Sequence, residues 1–452
     1  MLETTFGKEL LEKDEKYVWH SMKPYNPNAT LVIEKSKGAH ILDIDGKEYI
    51  DAMAGLFCVN AGYGREELAK AAYDQMISNA YTPLSQGHVP SIKLAEKLNN
   101  MLGGDYVIFF SNSGSEANET AFKIARQYHQ QKGNTSRFKI ISRYRAYHGN
   151  TGASLAATGQ AERKYRYEPL SPGFLHVAPP DSYRRNEDAY SDYLEIPSVK
   201  EVDQVMTWEF SETIAAMILE PIITGGGVLI PPAGYLKGIE AVCKKHGALM
   251  IVDEVICGFG RTGKPFGFMN YGVKPDIITM AKGLTSAYLP LSATAVKREI
   301  YEAFMASGEY DYFRHVNTFG GHPAACAVAL KNLEIMEEEQ LYERSAVKGE
   351  EVLHSLKAQL DKNPLVGDIR GKGLLIGIEL VKDKATKDPL EIERVNKVIA
   401  TCKEKGVIIG KNGTTVAGFN NVLLLSPPLN IADEDIEIVI KTLVEAIHQL
   451  NP

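Results

Sequence analysis

The chain has 452 residues, 44% hydrophobic, 24% charged and 9% aromatic, with 39 Gly and 21 Pro. That ordinary globular balance excludes a disordered, collagen-like or coiled-coil chain, and the length points to more than one domain. Fifty Lys+Arg against 57 Asp+Glu leave a net charge of -7, which offers no basic face to a nucleic acid or an anionic membrane.

In chain order, the start MLETTFGKELLEKDEKYVWH is acidic and amphipathic, unlike a signal peptide. No apolar run reaches the ~18–20 residues that span a bilayer. The stretch AHILDIDGKEYIDA alternates and breaks at Asp45-Gly46, which predicts a hairpin. From about Leu68, short apolar runs alternate with amphipathic helical patterns. The runs are YVIFFS (106–111), FKIIS (138–142), AAMILEP (215–221), ALMIVDE (248–254), DIITM (276–280) and LSATAV (291–296). This rhythm predicts an α/β fold, with a large, mostly parallel sheet sandwiched by helices. The polar, Tyr-rich segment 181–200 reads as an exposed connection. After His322, helical patterns at 323–339, 343–361, near 390–405 and 433–449 alternate with RGKGLLIGIELV (370–381) and NVLLLSPP (421–428). We expect a large domain over 68–325. The C-terminal segment 326–452 should form a smaller α+β domain, which the N-terminal segment 1–67 joins. The five cysteines are odd in number, scattered and without C-x-x-C, so no structural zinc site or disulfide framework is expected and a reducing cytoplasm is the default.

Ligand sites in such sheets lie past the carboxyl ends of the strands, so the residues there carry the chemistry. Ser111-Asn112-Ser113-Gly114-Ser115-Glu116 follows one strand and opens a helix. Free N–H groups and hydroxyls at a helix start bind phosphate; the same run also reads as a plain capping box, with Ser113 as the cap. Asp253 ends a strand too apolar to hold a carboxylate without reason. It suits either a proton on a ring nitrogen or a structural cap. Lys282, between Ala281 and Gly283, is placed for a desolvated amine that forms a Schiff base, or is an ordinary surface lysine. Tyr147 could stack on a flat ring or fill the core. Thr318, before Gly320, Gly321 and Pro323, offers a second phosphate donor or another helix cap. Together these parts match the needs of pyridoxal phosphate: an anion site, a stacking face, a carboxylate for the ring nitrogen and an amine for the aldehyde.

The segments SNSGSEANE, YHGNTGASLAATG, ILEPI, IVDEVICGFGRTGK, MAKGLTSAYLPLSA, TFGGHPAACAVAL and LLLSPPL resemble, in that order, the class III aminotransferases, pyridoxal-phosphate enzymes of fold type I. The resemblance implies that Lys282 joins the cofactor aldehyde and then shuttles the substrate proton. It implies that Asp253 holds the ring nitrogen's proton and that Tyr147 and Val255 lie on the two ring faces. Gly114 and Ser115 would bind the phosphate, joined by Thr318 of a partner subunit, so a homodimer with shared sites is implied.

DAMAGLFCVNAGYGR (51–65) and DEVICGFGRTG (253–263) look like omega-amino acid:pyruvate aminotransferases, the taurine–pyruvate kind included. Relatives acting on ornithine derivatives usually carry Gln where Ile256 stands. The diaminopelargonate enzyme of biotin synthesis usually has two tryptophans where Leu56 and Phe57 stand, and that reading is the alternative. Many relatives carry a carboxylate-binding arginine in the stretch that here reads GKNGTTVAGFNN (410–421). Arg163 or Arg166 is expected to serve instead, ahead of Lys164 and Lys411, because a guanidinium grips a carboxylate or sulfonate with two bonds. The expected substrates are a small amine and an oxo acid, with Phe57 and Tyr147 beside them; no metal is expected. A cofactor-binding regulator would need a DNA-binding domain for which the chain has no spare basic region.

Overall fold

The computed structural model describes residues 5–21, 26, 30–413, 415–416 and 418–450. Its centre is a seven-stranded sheet with the spatial order Tyr106–Ser111, Ser292–Lys297, Ile277–Met280, Leu249–Asp253, Ile214–Leu219, Lys139–Arg143, Phe174–Val177. Neighbours pair in parallel except around Ser292–Lys297, which runs antiparallel to both of its neighbours. All six residues of Ile214–Leu219 are buried, which explains its unbroken apolar pattern: helices cover both faces. Pro221 cannot donate to a ladder, and the strand ends at Leu219, just short of Glu220 and Pro221.

Two smaller sheets carry the rest. One joins Val366–Gly371, Ile376–Leu380, Val422–Leu425 and Gly410–Lys411, all antiparallel. The other builds the expected hairpin, His40–Asp43 against Glu48–Asp51, and then pairs Glu48–Asp51 in parallel with Val407–Ile408. The N-terminal segment is thereby stitched to the C-terminal part.

The segment 181–200 is exposed over 188–195, as expected of a connection, but Asp181, Glu187, Ile196, Ser198 and Val199 are buried. Asp181 is buried against Arg145 at 2.7 Å, and Glu187 is buried, accepting from Ser198 Oγ at 2.8 Å. Part of its polarity serves internal contacts, to Arg145 far away in sequence and to Arg185 and Ser198 nearby.

Candidate active site

The Ser111–Glu116 run, Tyr147, Asp253 and Lys282 lie at or shortly past the carboxyl ends of strands, whereas Thr318, Arg163 and Arg166 do not. Asp253 closes Leu249–Asp253, a strand buried throughout. Its Oδ2 accepts from Asn118 Nδ2 at 2.8 Å and stands 2.9 Å from His148 Nδ1, while Oδ1 accepts the Val255 N–H at 3.1 Å. Asn118 is fixed in turn: Nδ2 also donates to the His148 carbonyl at 2.7 Å, and Oδ1 accepts from the Thr279 hydroxyl at 2.7 Å. A carboxylate in so apolar a place is tolerable only with such partners. The bond to Val255 is a turn cap, the structural one of the two readings of Asp253. His148 is fully enclosed, and its Nε2 is buried without a partner among the described residues.

Lys282 follows the Ile277–Met280 strand with φ of +42°, a strained value for a lysine. Burial lowers its pKa below the ordinary lysine range, while Cys58, Asp253 and Glu220 pull the other way. Its amine therefore loses a proton more readily than a surface lysine's. The ring of Phe57 faces it, the centroid 5.7 Å from Nζ. The backbone N–H of Tyr147 donates to Glu220 Oε1 at 3.2 Å, and Glu220 Oε2 accepts the Thr224 N–H at 3.2 Å. Burial raises the pKa of Glu220, which lies directly past the Ile214–Leu219 strand.

The helix Gly114–Gln131 opens on the expected capping box, with Ser113 Oγ accepting the Glu116 N–H at 3.3 Å and Glu116 Oε2 accepting the Ser113 N–H at 3.1 Å. The first turn keeps backbone N–H groups that the helix does not use. A Cβ on Gly114 would stand 2.9 Å from Val255 Cγ1, so these two residues touch only because position 114 has no side chain. Gly149, at φ +135°, lies as close to Ser115, whose Oγ donates to Asn150 Oδ1 at 3.1 Å and accepts the Asn150 N–H at 3.2 Å. The result is a small-residue cradle at a helix start. It can take an anion, within one neighbourhood of a carboxylate, a flat aromatic and a half-buried amine.

The candidate cations separate. Arg163 lies over the Tyr147 ring at 4.6 Å and donates through Nε to Gln160 Oε1 at 2.6 Å. Arg166 is exposed and stacks on Tyr165 at 5.3 Å. Lys164 donates to the Ala156 carbonyl at 3.1 Å. Lys411 is half-buried with a lowered pKa, set by burial first and opposed by Glu162. Its loop meets the 160–163 turn, where the Ala161 N–H donates to the Thr415 carbonyl at 3.1 Å; Thr414 and Ala417 lie outside the described residues. Thr318 is exposed, its carbonyl accepting from Tyr81 at 2.8 Å. The sequence reading missed His148, Asn118, Thr279 and Glu220. Glu220 directly follows a strand and His148 lies shortly after one, which was an available signal; Thr279 inside a strand and Asn118 inside a helix gave none.

The family model of aminotransferase class III matches residues 21–447. The chain is 65% identical to the Uncharacterized aminotransferase YhxA of Bacillus subtilis (strain 168), over 98% of this chain and 97% of that one. It is 42% identical to the taurine–pyruvate aminotransferase of Bilophila wadsworthia, over 96% of each. The crystal structure of a Bacillus anthracis aminotransferase superposes with a TM-score of 0.98 at 64% identity, covering 99% of this chain and 100% of that one. With the family model spanning nearly the whole chain, this protein belongs to the class III aminotransferases and is an enzyme.

Proposed function

We propose that this chain holds pyridoxal phosphate and moves the amino group of a primary amine, omega-amino acid or amino sulfonate to pyruvate or a similar oxo acid, in two half-reactions of a ping-pong cycle. The observation that carries the reading is the convergence of Lys282, Asp253 and the Gly114 cradle at the carboxyl ends of strands in one sheet. These residues fit the cofactor. The helix start and Ser115 suit its phosphate, Asp253 its ring nitrogen, Tyr147 and Val255 its faces, and Lys282 its aldehyde.

When bound, the cofactor acts as an electron sink for charge at the substrate carbon. The protein's residues do the rest. Lys282 Nζ, already poor at keeping its charge, takes a proton from that carbon and returns it elsewhere. Asp253 Oδ2, oriented by Asn118 and His148, holds a proton on the ring nitrogen. Glu220 fixes Tyr147 through its backbone rather than its ring. Arg163, over Tyr147, supplies the positive charge for a carboxylate or sulfonate, whose unpaired burial would cost several kcal/mol. Its place beside the stacking tyrosine favours it over Arg166, which faces solvent.

The 42% identical taurine–pyruvate relative supports an anionic amine donor and pyruvate as acceptor. A homodimer is part of the proposal. Met76, Ile77, Tyr81, Ile92, Val316 and Phe319 are exposed, and Tyr81 and Phe319 adjoin at 6.4 Å. An exposed aromatic pair of this kind is what a second copy would cover, and the Thr318 carbonyl accepts from the Tyr81 hydroxyl beside it. The five thiols are unpaired, which suits the cytoplasm. Among the described residues, no helix is long and apolar enough to cross a membrane.

The test is a panel of amines against pyruvate and 2-oxoglutarate, run with the parent and with Arg163→Ala. Pyruvate should outperform 2-oxoglutarate. Arg163→Ala should lose rate with taurine, beta-alanine and pyruvate while largely keeping the half-reaction with a neutral amine. Equal loss on neutral and anionic substrates would remove Arg163 from anion recognition.

A further inference from the structure

Between Asp51 and Cys58 the backbone takes three positive φ values in four residues: Ala54 at +47°, Gly55 at +65° and Phe57 at +61°. Only the glycine adopts such a conformation readily. Strain of this kind persists where surrounding contacts over-determine it, and it clusters at functional sites. Here the contacts come from one buried carboxylate. Asp51 Oδ1 accepts the Met53 N–H at 2.9 Å, and Oδ2 accepts the Gly55 N–H at 2.6 Å and the Tyr63 hydroxyl at 2.8 Å. The knot turns Leu56 outward, 67% exposed, and Phe57 inward, 8% exposed, with its ring facing Lys282 Nζ. The far end of the strap is locked to the loop after the lysine. The Ala61 N–H donates to Ser286 Oγ at 3.0 Å, and a Cβ on Gly283 would stand 2.4 Å from Asn60 Nδ2.

We propose that Asp51 is a positioning residue for the amine end of the site: by tying the 53–58 turn it fixes Phe57 as an apolar wall over Lys282, which keeps the lysine dry and limits the bulk of the amine admitted. This rests on the reading that substrates meet Lys282 beside Phe57.

Asp51→Asn, Tyr63→Phe and Phe57→Ala test it, each compared with the parent for thermal melting and then by two readouts. The first is the ratio of kcat/KM for a small and a bulky amine with pyruvate. Asp51→Asn should relax that ratio by about tenfold, the low end of what a pocket wall confers. Tyr63→Phe, which removes one of the carboxylate's three donors, should relax it less. The second readout is the pH midpoint for acylation of Lys282 in cofactor-free protein, followed by mass. The groups facing Lys282 are Cys58, Asp253, Glu220 and Cys257, and none of the variants replaces them. Phe57→Ala changes no charge, whereas Asp51→Asn also removes a negative charge that acts on Cys58, so Phe57→Ala sets the rise expected from water alone. Opening the wall admits water, so the midpoint should rise toward the ordinary lysine range in Asp51→Asn and Phe57→Ala. If Phe57→Ala moves both readouts and the folded Asp51→Asn moves neither, Asp51 is only structural and the proposal falls. If Phe57→Ala moves neither, the placing of substrate beside Phe57 falls with it. Should Asp51→Asn fail to fold, an unchanged ratio in Tyr63→Phe overturns the proposal.

Discussion

Asp253 is gripped by donors from three different parts of the chain: Asn118 on a helix, His148 in a turn, and the N–H of Val255. Asparagine at this position keeps the shape and removes the charge. A neutral group cannot hold a proton on a ring nitrogen, so Asp253→Asn should slow the amine half-reaction by roughly two orders of magnitude or more, the size of effect a positioned proton supplies. Cofactor affinity should fall much less, because the phosphate cradle is untouched. Single-turnover absorbance measurements separate the two. An unchanged half-reaction would reduce Asp253 to the turn cap that it also is. His148 acts through Asp253 and is therefore a positioning residue, which the neighbouring Tyr147 and Gly149 concealed by making the run look like a simple turn.

The helix that begins at Gly114 is legible in the sequence down to its capping box, because capping is a local event within four residues. The contact that gives the helix its use is not local. Gly114 meets Val255 across the sheet edge, and a Cβ there would stand 2.9 Å and 3.0 Å from the two γ-carbons. Gly114→Ala gains up to about 1 kcal/mol of helix propensity. Overpacking costs about 1–3 kcal/mol, so the clash wins and Val255 is pushed toward the ring site. The expected outcome is a cofactor Kd raised by about tenfold, which corresponds to ~1.4 kcal/mol. Equilibrium dialysis measures it, and an unchanged Kd would show that Val255 yields freely. The same division explains the rest. The runs that periodicity marked lie within two residues of the observed elements at most ends, but Phe174–Val177 was not marked and RGKGLLIGIELV covers parts of two strands, Val366–Gly371 and Ile376–Leu380. Asp181 with Arg145, Glu187 with Ser198 and His148 with Asp253 were not legible, since each pair is joined only by the fold. The cation beside the site fell between these cases: chemistry nominated Arg163 and Arg166 together, and only the stack on Tyr147 distinguishes them.

For the whole molecule, the proposed homodimer makes a prediction about how a complete site is assembled. Thr318 lies on an exposed apolar surface with Val316 78% exposed, as expected of a residue that serves a second copy. If it completes the partner's phosphate site, mixing Lys282→Ala with a severely impaired Thr318 variant should restore activity. In the mixed dimer one site then carries both defects and the other carries none. No recovery despite proven subunit exchange would return Thr318 to its own subunit's site. A second feature reaches across the molecule within one chain. Every strand of the seven-stranded sheet lies between residues 106 and 297, but the strand ending at Asp51 pairs with Val407–Ile408. During synthesis the sheet and its lysine can be assembled while the edge that anchors Asp51 has yet to leave the ribosome. Non-local pairing of this kind comes late in folding. The carboxylate's own ties to Met53, Gly55 and Tyr63 are local, but the strand that carries it gains its Val407–Ile408 neighbour only from the C-terminal part, so a C-terminally truncated chain would keep its lysine and lose the support behind the wall.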